Sequence, residues 1–296
     1  MAINIYILHY SDTETHPNLK VSNLALNELM LRCVASIHEF TKEKHRLILV
    51  DNGSPPEAHT DMMQLLKEHG YEEETIWVRE KWHPVPVGAN AALKHFLDTG
   101  SEYMVFLTSD QKIGVNFIEL GHQFMRSYGA PTFAEPNIGP YYGIGKLDRY
   151  RTKAFWEKLR TMSHGAYSAE KIIGYCDKNG VKYVTDSWKE PAVVSSDTRP
   201  GAEGRRIGIF FANRNAVKRA GFYNEQYLRS SEFQYYYQAL ERGCQMLTMG
   251  YIYLGHIGGL FRTGVGSYNA RQYSTHGPKG DLRFRKGKGN VFATKD

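Results

Sequence analysis

The chain of 296 residues contains 42% hydrophobic and 23% charged residues, which is an ordinary globular composition. This composition excludes a mainly disordered, collagen-like or coiled-coil protein. Basic residues number 37 and acidic residues 31, and the net charge of +6 favours an anionic partner such as a phosphate compound, a nucleic acid or a membrane surface.

Strand-like and helix-like patterns alternate through the first 115 residues. Short apolar, β-branched and aromatic runs predict strands, and the apolar spacing between these runs predicts helices. The strands are expected at 3–10, 47–50, 75–79 and 103–107, and the helices at 19–40, 57–69 and 89–97. This alternation predicts an α/β protein with a parallel or mixed sheet and helices on both faces.

The rest of the chain is less regular. Helices are expected at 116–128, 213–220 and 232–242, and strands at 207–212 and 246–254. Between them, 131–145 place Pro and Gly among short apolar pieces, and 195–206 predict a polar loop rich in Gly, Pro and Arg. After residue 264 the chain is rich in Gly and basic residues, with five basic side chains against one acid over 279–289.

The cysteines and the N-terminus indicate the compartment. The three cysteines, at positions 33, 176 and 244, are widely spaced and odd in number, which disfavours a disulfide framework or a zinc site and fits a reducing compartment. The N-terminal segment lacks the basic region of a signal peptide, and no stretch approaches the length of about 18 apolar residues of a membrane-spanning helix. We expect a cytoplasmic protein with no transmembrane segment.

Polar residues that follow the predicted strands are the first candidates for a site, because ligands of such sheets bind outside the carboxyl ends of the strands. They are His9 with Tyr10, Asp51 with Asn52, and Ser109 with Asp110. Taken alone, Asp51 is also the residue type that ends a strand in a turn. Two carboxylates at one sheet edge favour a ligand or a hard metal ion such as Mg²⁺ or Mn²⁺, which binds carboxylates and substrate phosphates.

Two later residues have both a structural and a chemical interpretation. Glu232 begins a predicted helix, where an acid is favoured by the helix dipole, and it is also a candidate general base. His256 follows the last clear strand and precedes two glycines, where it serves as a structural residue or as a metal or phosphate contact.

Six segments in sequence order resemble the GT-A glycosyltransferases of the family 2 type over roughly residues 3–260. The segments are VDNGS, GANAALKH, YMVFLTSD, FFANRNAVKRAGFYNE, SSEFQYYYQALERG and GHIGG. The resemblance implies a GT-A fold, with a Rossmann-like nucleotide-binding half on a mixed central sheet and an acceptor-binding half. We expect the first half at 1–115, the second at 116–262 and a basic Gly-rich extension at 263–296.

The resemblance also implies roles for individual residues. Asp51 is expected to bind the base of the donor nucleotide, usually uracil, and Asp110 to hold Mn²⁺ or Mg²⁺ on the diphosphate, completed by His256. Glu232 is expected to be the catalytic base. The other nucleotide-sugar contacts are expected at Tyr10, Asn52, Gly88, Asn90, Ser109, Phe211, Asn213 and Arg214. Two departures stand out, because the metal-binding motif has the single carboxylate of Asp110 and the base is Glu where Asp is common.

The implied reaction is inverting transfer of a sugar from a nucleotide-diphosphate sugar, with uridine the expected nucleoside. One base and a metal suffice for one displacement, and no second carboxylate is evident for retaining chemistry. Arg205 and Arg206 are candidate phosphate contacts, and 195–206 are either a lid over the donor or a solvated flexible loop.

The acceptor stays open at this point. The resemblance favours a glycan or a lipid-linked saccharide, whereas the net charge and the basic tail also suit a hydroxylated base of DNA, as in some phage enzymes of related fold. Phe284 in the tail is a candidate for stacking on a base, although such a tail also fits a disordered, solubilising terminus. Two rival functions are a non-catalytic nucleic-acid-binding protein and a nucleotidyltransferase.

Overall fold

The computed structural model describes residues 2–11, 23–78, 85–140, 184–186, 209–226 and 231–256, together with the isolated positions 154, 158, 171 and 178. Nine strands of this described part form one sheet. The strands are β1 (Ile3–His9), β2 (His45–Asp51), β3 (Glu74–Trp77), β4 (Tyr103–Thr108), β5 (Gln111–Ile113), β6 (Thr132–Pro140), β7 (Val184–Asp186), β8 (Phe210–Asn213) and β9 (Gln245–His256). The described helices are α1 (Asn23–Phe40), α2 (Pro56–Glu68), α3 (Val85–Asp98), α4 (Phe117–Arg126), α5 (Arg214–Ala220) and α6 (Ser231–Glu241).

The strand order is β3-β2-β1-β4-β8-β6-β9-β5, and β7 pairs with β9 beside β5. The neighbours among β1 to β4 pair in parallel, β8 is antiparallel to both β4 and β6, and β6 is parallel to β9. The first four strands, β6 and β9 therefore run in one direction. Their carboxyl ends meet at a single edge of the sheet, which we call the carboxyl edge, and their amino ends meet at the opposite, amino edge.

Alternating residues of the central strands feed two separate hydrophobic cores, as the period of a strand requires. On one face Ile5 and Val105 pack with α1, α2 and α4. On the other face Tyr6 and Phe106 pack with α3, α5 and α6. Helices thus cover both faces of a mixed sheet, which confirms the fold class predicted from the sequence.

Several element bounds differ from the predictions. The stretch at 131–145 contains the strand β6, whose proline at Pro136 lies at a shift of register against β9. Proline is tolerated there because a bulge interrupts the ladder of hydrogen bonds. Helix α3 begins at Val85, earlier than predicted, because Pro86 lies in the first turn, where its missing N–H costs nothing. The short strands β5 and β7 were not predicted.

Candidate active site

Backbone hydrogen bonds bring the ends of β1, β2 and β4 together. The N–H of Asn52 donates to the carbonyl oxygen of His9 at an N–O distance of 2.8 Å, and that of Ser109 donates to the carbonyl oxygen of Leu8 at 3.0 Å. His9 also lies opposite Asp51 in the β1–β2 register. The polar residues that follow these strands therefore lie at the carboxyl edge.

Asp51 ends β2 with its side chain 0% exposed. Its Oδ1 accepts hydrogen bonds from the N–H and the hydroxyl of Ser54 at 3.0 and 2.5 Å, and its Oδ2 lies 2.6 Å from Nδ1 of His59. Gly53 in this turn has a φ of 89°, a left-handed conformation that favours glycine. These contacts stabilise the turn and hold the Asp51 carboxylate in place at the end of β2.

A stacked aromatic pair flanks Asp51. The rings of His59 and Trp77 have centroids 4.1 Å apart and planes inclined by 5°. Trp77 ends β3 opposite Asp51, and its indole N–H donates to the carbonyl oxygen of Ser54 at 3.3 Å. The sequence analysis singled out neither residue, because it continued the strand past Trp77 and placed His59 within a helix. The correct end of that strand would have placed Trp77 next to Asp51.

Ser109 and Asp110 form the turn between β4 and β5, and both are partly exposed. The hydroxyl of Thr108 donates to Oδ1 of Asp110 at 2.7 Å. The Gln111 amide holds the same turn by donating to the Thr108 hydroxyl and accepting from the Thr108 N–H, at 2.7 and 3.0 Å. This network fixes the turn and presents a carboxylate at the carboxyl edge.

His256 is placed near this turn by the sheet. It ends β9, and in the antiparallel pairing of β5 with β9 it lies opposite Gln111, the residue that follows Asp110. Its side chain lies outside the described part of the structure. Among the side chains that are described, no group of three or more His, Cys, Asp and Glu residues is arranged to hold a metal ion.

Gly88 lets α3 approach the carboxyl edge closely. A Cβ at this position would lie 2.5 Å from the side chain of Leu8 and 2.6 Å from Oδ1 of Asn52, distances that real Cβ atoms do not reach. Asn52, which a Cβ at Gly88 would meet, is buried, and so is Tyr10, which follows β1. The helix therefore covers one side of the predicted nucleotide pocket at the position where the sequence has glycine.

Asn90 is engaged with the backbone of the chain after α5. Its Oδ1 accepts from the N–H of Tyr223 at 2.8 Å, and its Nδ2 donates to the carbonyl oxygen of Tyr223 and to Oε1 of Glu225, at 3.0 and 2.8 Å. Asn90 thus links α3 to the loop that follows α5. This contact joins the two predicted halves of the chain. It also uses the side-chain amide of Asn90, which the resemblance assigned to the nucleotide.

Glu232 lies in the first turn of α6 and is partly exposed. Burial raises the pKa of Tyr223 well above its usual value, and the neighbouring Tyr235 hydroxyl and the carboxylates of Glu232 and Glu135 raise it further. The rings of Tyr223 and Tyr235 stack with centroids 3.9 Å apart. Tyr223 therefore stays a neutral phenol in the electrostatic field of two carboxylates, Glu232 and Glu135.

Glu135 is a carboxylate that the sequence analysis did not single out. It lies in β6 and is only 3% exposed. Phe133, two residues earlier on the same face of the strand, contacts Tyr235 of α6. Since Glu232 comes one helical turn before Tyr235, α6 directs its first turn towards Glu135 and the carboxyl end of β6. The Pro-rich surroundings of Glu135 concealed the strand, and with it this carboxylate.

Three predicted contacts do not join the others. Phe211 is fully buried in the hydrophobic core against α4, where a Cβ on Gly121 would lie 2.2 Å from its ring. Asn213 lies opposite Tyr103 at the amino edge, because β8 runs antiparallel to β4. Its Oδ1 accepts from the N–H of Ala216 at 2.9 Å and caps α5. These placements do not fit contacts with a donor sugar at the carboxyl edge.

Arg214 also lies at the amino edge. Its guanidinium donates to four backbone carbonyl oxygens at and beyond the end of α3, those of Phe96, Leu97, Thr99 and Ser101. It also covers the ring of Phe96 at 5.0 Å. Because these bonds occupy the guanidinium, Arg214 serves to hold α3 and α5 together, and its expected contact with the donor does not fit. The predictions for Arg205, Arg206, Phe284, 195–206 and 263–296 lie outside the described residues.

Comparison of the whole chain with known proteins gives matches in structure alone, since no family model and no curated protein matches it. Similar solved structures include TarS of S. aureus, with a TM-score of 0.54 and 10% identity over 88% of this chain and 38% of that chain. TarS residues 1–349 in complex with UDP-GlcNAc match with a TM-score of 0.54 and 10% identity over 86% and 58%. GalNAc-T7 with UDP, GalNAc and Mn²⁺ matches with a TM-score of 0.53 and 12% identity over 86% and 43%.

The chain has a GT-A fold. This confirms the fold that the six sequence segments implied. Sequence identities of 10 to 12% show a common fold and do not show a common activity. The chain spans less than two thirds of each of these structures. Within the described residues of this GT-A chain, no helix is both long and apolar enough to cross a membrane.

Proposed function

We propose that this chain is an inverting glycosyltransferase that moves a sugar from a UDP-sugar to a hydroxyl of a glycan or a lipid-linked saccharide. The observation that carries the proposal is the convergence of Asp51, Ser109 and Asp110 at the carboxyl edge of a GT-A fold. The structural neighbours in complex with UDP-GlcNAc and with UDP and Mn²⁺ support the same class of donor. In this proposal residues 1–115 supply the donor site and 116–262 the acceptor side.

The base of the nucleotide is placed at the Asp51 end of the site. Asp51 is proposed to accept a hydrogen bond from the N–H of a pyrimidine base through Oδ2, whose described partner is His59, whereas Oδ1 accepts two hydrogen bonds from Ser54. The flat pair of His59 and Trp77 is suited to border a planar ring. Tyr10, Asn52 and Gly88 complete this end of the proposed site.

A divalent cation fits beside Asp110. Mg²⁺ and Mn²⁺ are commonly bound by one or two carboxylates together with substrate phosphates, so the single partly exposed carboxylate of Asp110 is a sufficient anchor. His256 is proposed as a second ligand on the strength of its register beside Gln111. When bound, Mn²⁺ or Mg²⁺ would neutralise charge on the diphosphate and improve it as a leaving group.

Glu232 is proposed as the base that removes the proton of the acceptor hydroxyl as its oxygen attacks the anomeric carbon. Glu232 is partly exposed, whereas Glu135 in β6 is only 3% exposed. A retaining mechanism through a covalent intermediate needs a nucleophile that reaches the sugar. The sequence offers no second candidate carboxylate for that role, and the proposal therefore takes the inverting route.

The direct test is product analysis with purified protein, Mn²⁺ and a panel of UDP-sugars. The acceptors are a glycan panel, a lipid-linked saccharide and duplex DNA with hydroxymethylated bases. Release of UDP with a mass gain of one sugar on a glycan or lipid acceptor, with inverted anomeric configuration, is the expected result. Glu232→Gln serves as the inactive control.

The other outcomes separate the alternatives. Transfer to hydroxymethylated DNA alone would keep the chemistry and replace the acceptor. Release of pyrophosphate in place of UDP would identify a nucleotidyltransferase. Binding of plain DNA without turnover of any UDP-sugar would contradict the enzymatic proposal and favour a nucleic-acid-binding protein.

A further inference from the structure

His9 is a buried histidine that contacts the proposed donor site through one residue. It ends β1 and is 1% exposed. Its Nε2 lies 3.0 Å from Oδ1 of Asn27 on α1, and its Nδ1 lies 3.0 Å from the hydroxyl oxygen of Ser109. The imidazole therefore bridges α1 and the turn that carries Asp110.

These contacts determine the tautomer of His9. An amide oxygen only accepts hydrogen bonds, so Nε2 carries the proton that is donated to Asn27. Burial lowers the pKa of His9, and the nearby imidazole of His59 lowers it further, against the opposing effects of the Asp51 carboxylate and the bond to Asn27. The neutral imidazole then has its lone pair on Nδ1, and the hydroxyl of Ser109 donates to it.

This bond determines whether the Ser109 hydroxyl donates to a ligand or accepts from it. A serine hydroxyl has one proton, and here that proton is directed at Nδ1 of His9. The Ser109 N–H is also engaged, since it donates to the carbonyl oxygen of Leu8. Ser109 is partly exposed, and what it offers a ligand is therefore the lone pairs of its oxygen. Phosphate oxygens are acceptors and gain nothing from such a group, whereas a hydroxyl of the ligand can donate to it.

We propose that His9 is a positioning residue that fixes Ser109 as a hydrogen-bond acceptor for a hydroxyl group of the nucleotide-sugar. This inference rests on the proposed function, because it assumes that the donor occupies the carboxyl edge. It assigns Ser109 to a sugar hydroxyl and separates it from the diphosphate. The hydroxyl belongs either to the ribose or to the transferred sugar.

Two substitutions of His9 separate positioning from structural support. His9→Asn keeps an acceptor at the place of Nδ1 and loses the contact with Asn27. His9→Gln keeps a donor at the place of Nε2 and leaves Ser109 without its acceptor. Each variant loses one of two buried hydrogen bonds, so we expect similar decreases in melting temperature for the two.

The two variants are expected to differ in their affinity for UDP or a UDP-sugar. His9→Gln should weaken binding about fivefold, as should Ser109→Ala, because each removes one oriented hydrogen bond. His9→Asn should stay near the wild-type affinity. The double variant His9→Gln with Ser109→Ala should bind no more weakly than Ser109→Ala alone, because the two changes act on one interaction.

Calorimetric titration with three ligands locates the hydroxyl. If the ribose donates to Ser109, Ser109→Ala weakens UDP about fivefold and leaves the affinity for 2′,3′-dideoxy-UDP unchanged. If the transferred sugar donates, Ser109→Ala weakens UDP-GlcNAc and leaves UDP unchanged. Equal affinity losses in His9→Asn and His9→Gln, or a Ser109→Ala variant that binds all three ligands as the wild type does, would overturn the inference.

Failure of this inference is distinct from failure of the proposed function. A wild-type protein that binds UDP with variants that behave alike would remove the role of His9 and leave the donor site in place. A wild-type protein that binds neither UDP nor UDP-GlcNAc, with or without Mn²⁺, would remove the donor site itself and the inference with it.

Discussion

The predicted site residues at the two edges of the sheet differ in their hydrogen-bond partners. At the amino edge Arg214 donates to four backbone carbonyl oxygens, and Asn213 accepts from the first turn of α5. At the carboxyl edge His9 lies within hydrogen-bond distance of the Ser109 side chain, and Asp51 of the His59 side chain. Side chains of the first kind hold elements together, and those of the second kind orient functional groups at a partly exposed surface.

This contrast gives a rule for separating function from stability. A substitution of a partly exposed residue of the carboxyl edge, Ser109 or Asp110, should change binding or turnover with a small effect on folding, because its side chain is open to a ligand. A substitution at the amino edge should lower stability with no change in the site, because it leaves backbone carbonyl groups without donors.

The largest effect is expected for the proposed base. Glu232→Gln keeps the size of the side chain and removes its basicity, so we expect kcat to fall about 100-fold to 10,000-fold, with the Kd for UDP unchanged. Steady-state kinetics with the identified donor and acceptor measure kcat, and calorimetry measures the Kd. A Glu232→Gln variant with the wild-type kcat would exclude Glu232 as the base.

The next effect is expected at the amino edge. Arg214→Met keeps the length of the aliphatic chain and removes every bond to the carbonyl oxygens around the end of α3. We expect the free energy of unfolding to fall by about 3 kcal/mol, because buried carbonyl groups lose charged donors. Denaturant unfolding measures the change, and the affinity for UDP should not move. Weaker UDP binding with unchanged stability would support the assignment of Arg214 to the donor site.

Gly88→Ala is expected to affect both properties, because this glycine joins the core to the carboxyl edge. The added methyl would lie 2.5 Å from Leu8 and 2.6 Å from Asn52. We expect a loss of about 2 kcal/mol in stability together with weaker UDP binding, since α3 must shift. Gly129→Ala is the matched control, since a Cβ at Gly129 has nothing within 4 Å. Equal stabilities of the two variants would show that α3 is not in close contact at Gly88.

The smallest effect is the pH dependence of stability from His9. Its pKa is lowered in the folded protein from an ordinary value of 6.5, so the unfolded chain binds the proton more tightly. Stability is then expected to fall as the pH drops below about 6.5, by up to about 1.4 kcal/mol per pH unit. Denaturant unfolding of the wild type and of His9→Asn at several pH values between about pH 5 and 8 tests this slope, which the variant should lack. If stability depends on pH with the same slope in the two proteins, the pKa of His9 is not lowered by folding.

Periodicity in the sequence was sufficient for the first half of the fold. Continuous apolar runs such as 47–50 and 103–107 are typical of strands buried on both faces, and each is a strand of the structure. The second half was harder to predict, because β6 contains Pro136 at a bulge and pairs only with distant strands. Pairing over such separations leaves no local signal in the chain.

The site shows the same division. Residues directly after strands, such as Asp51 and Asp110, were predicted from position, and the structure places them at one edge. His59 and Glu135 were missed, because a helix residue and a strand-interior carboxylate reveal their partners only when the chain is folded. Asn213 and Arg214 were assigned by resemblance, and the antiparallel direction of β8 moves them to the other edge.

Ligand-dependent thermal unfolding tests the central claim, that the carboxyl edge binds a nucleoside diphosphate. Wild type, Asp110→Asn and Arg214→Met are melted with UDP, GDP, CDP and ADP, each with and without Mn²⁺. At 100 times its Kd a ligand stabilises the folded state by about 2.7 kcal/mol. We predict stabilisation of the wild type by UDP that increases with Mn²⁺, is retained in Arg214→Met, and loses its dependence on Mn²⁺ in Asp110→Asn. Absence of any shift with the four diphosphates, alongside stabilisation by plain duplex DNA, would contradict the account.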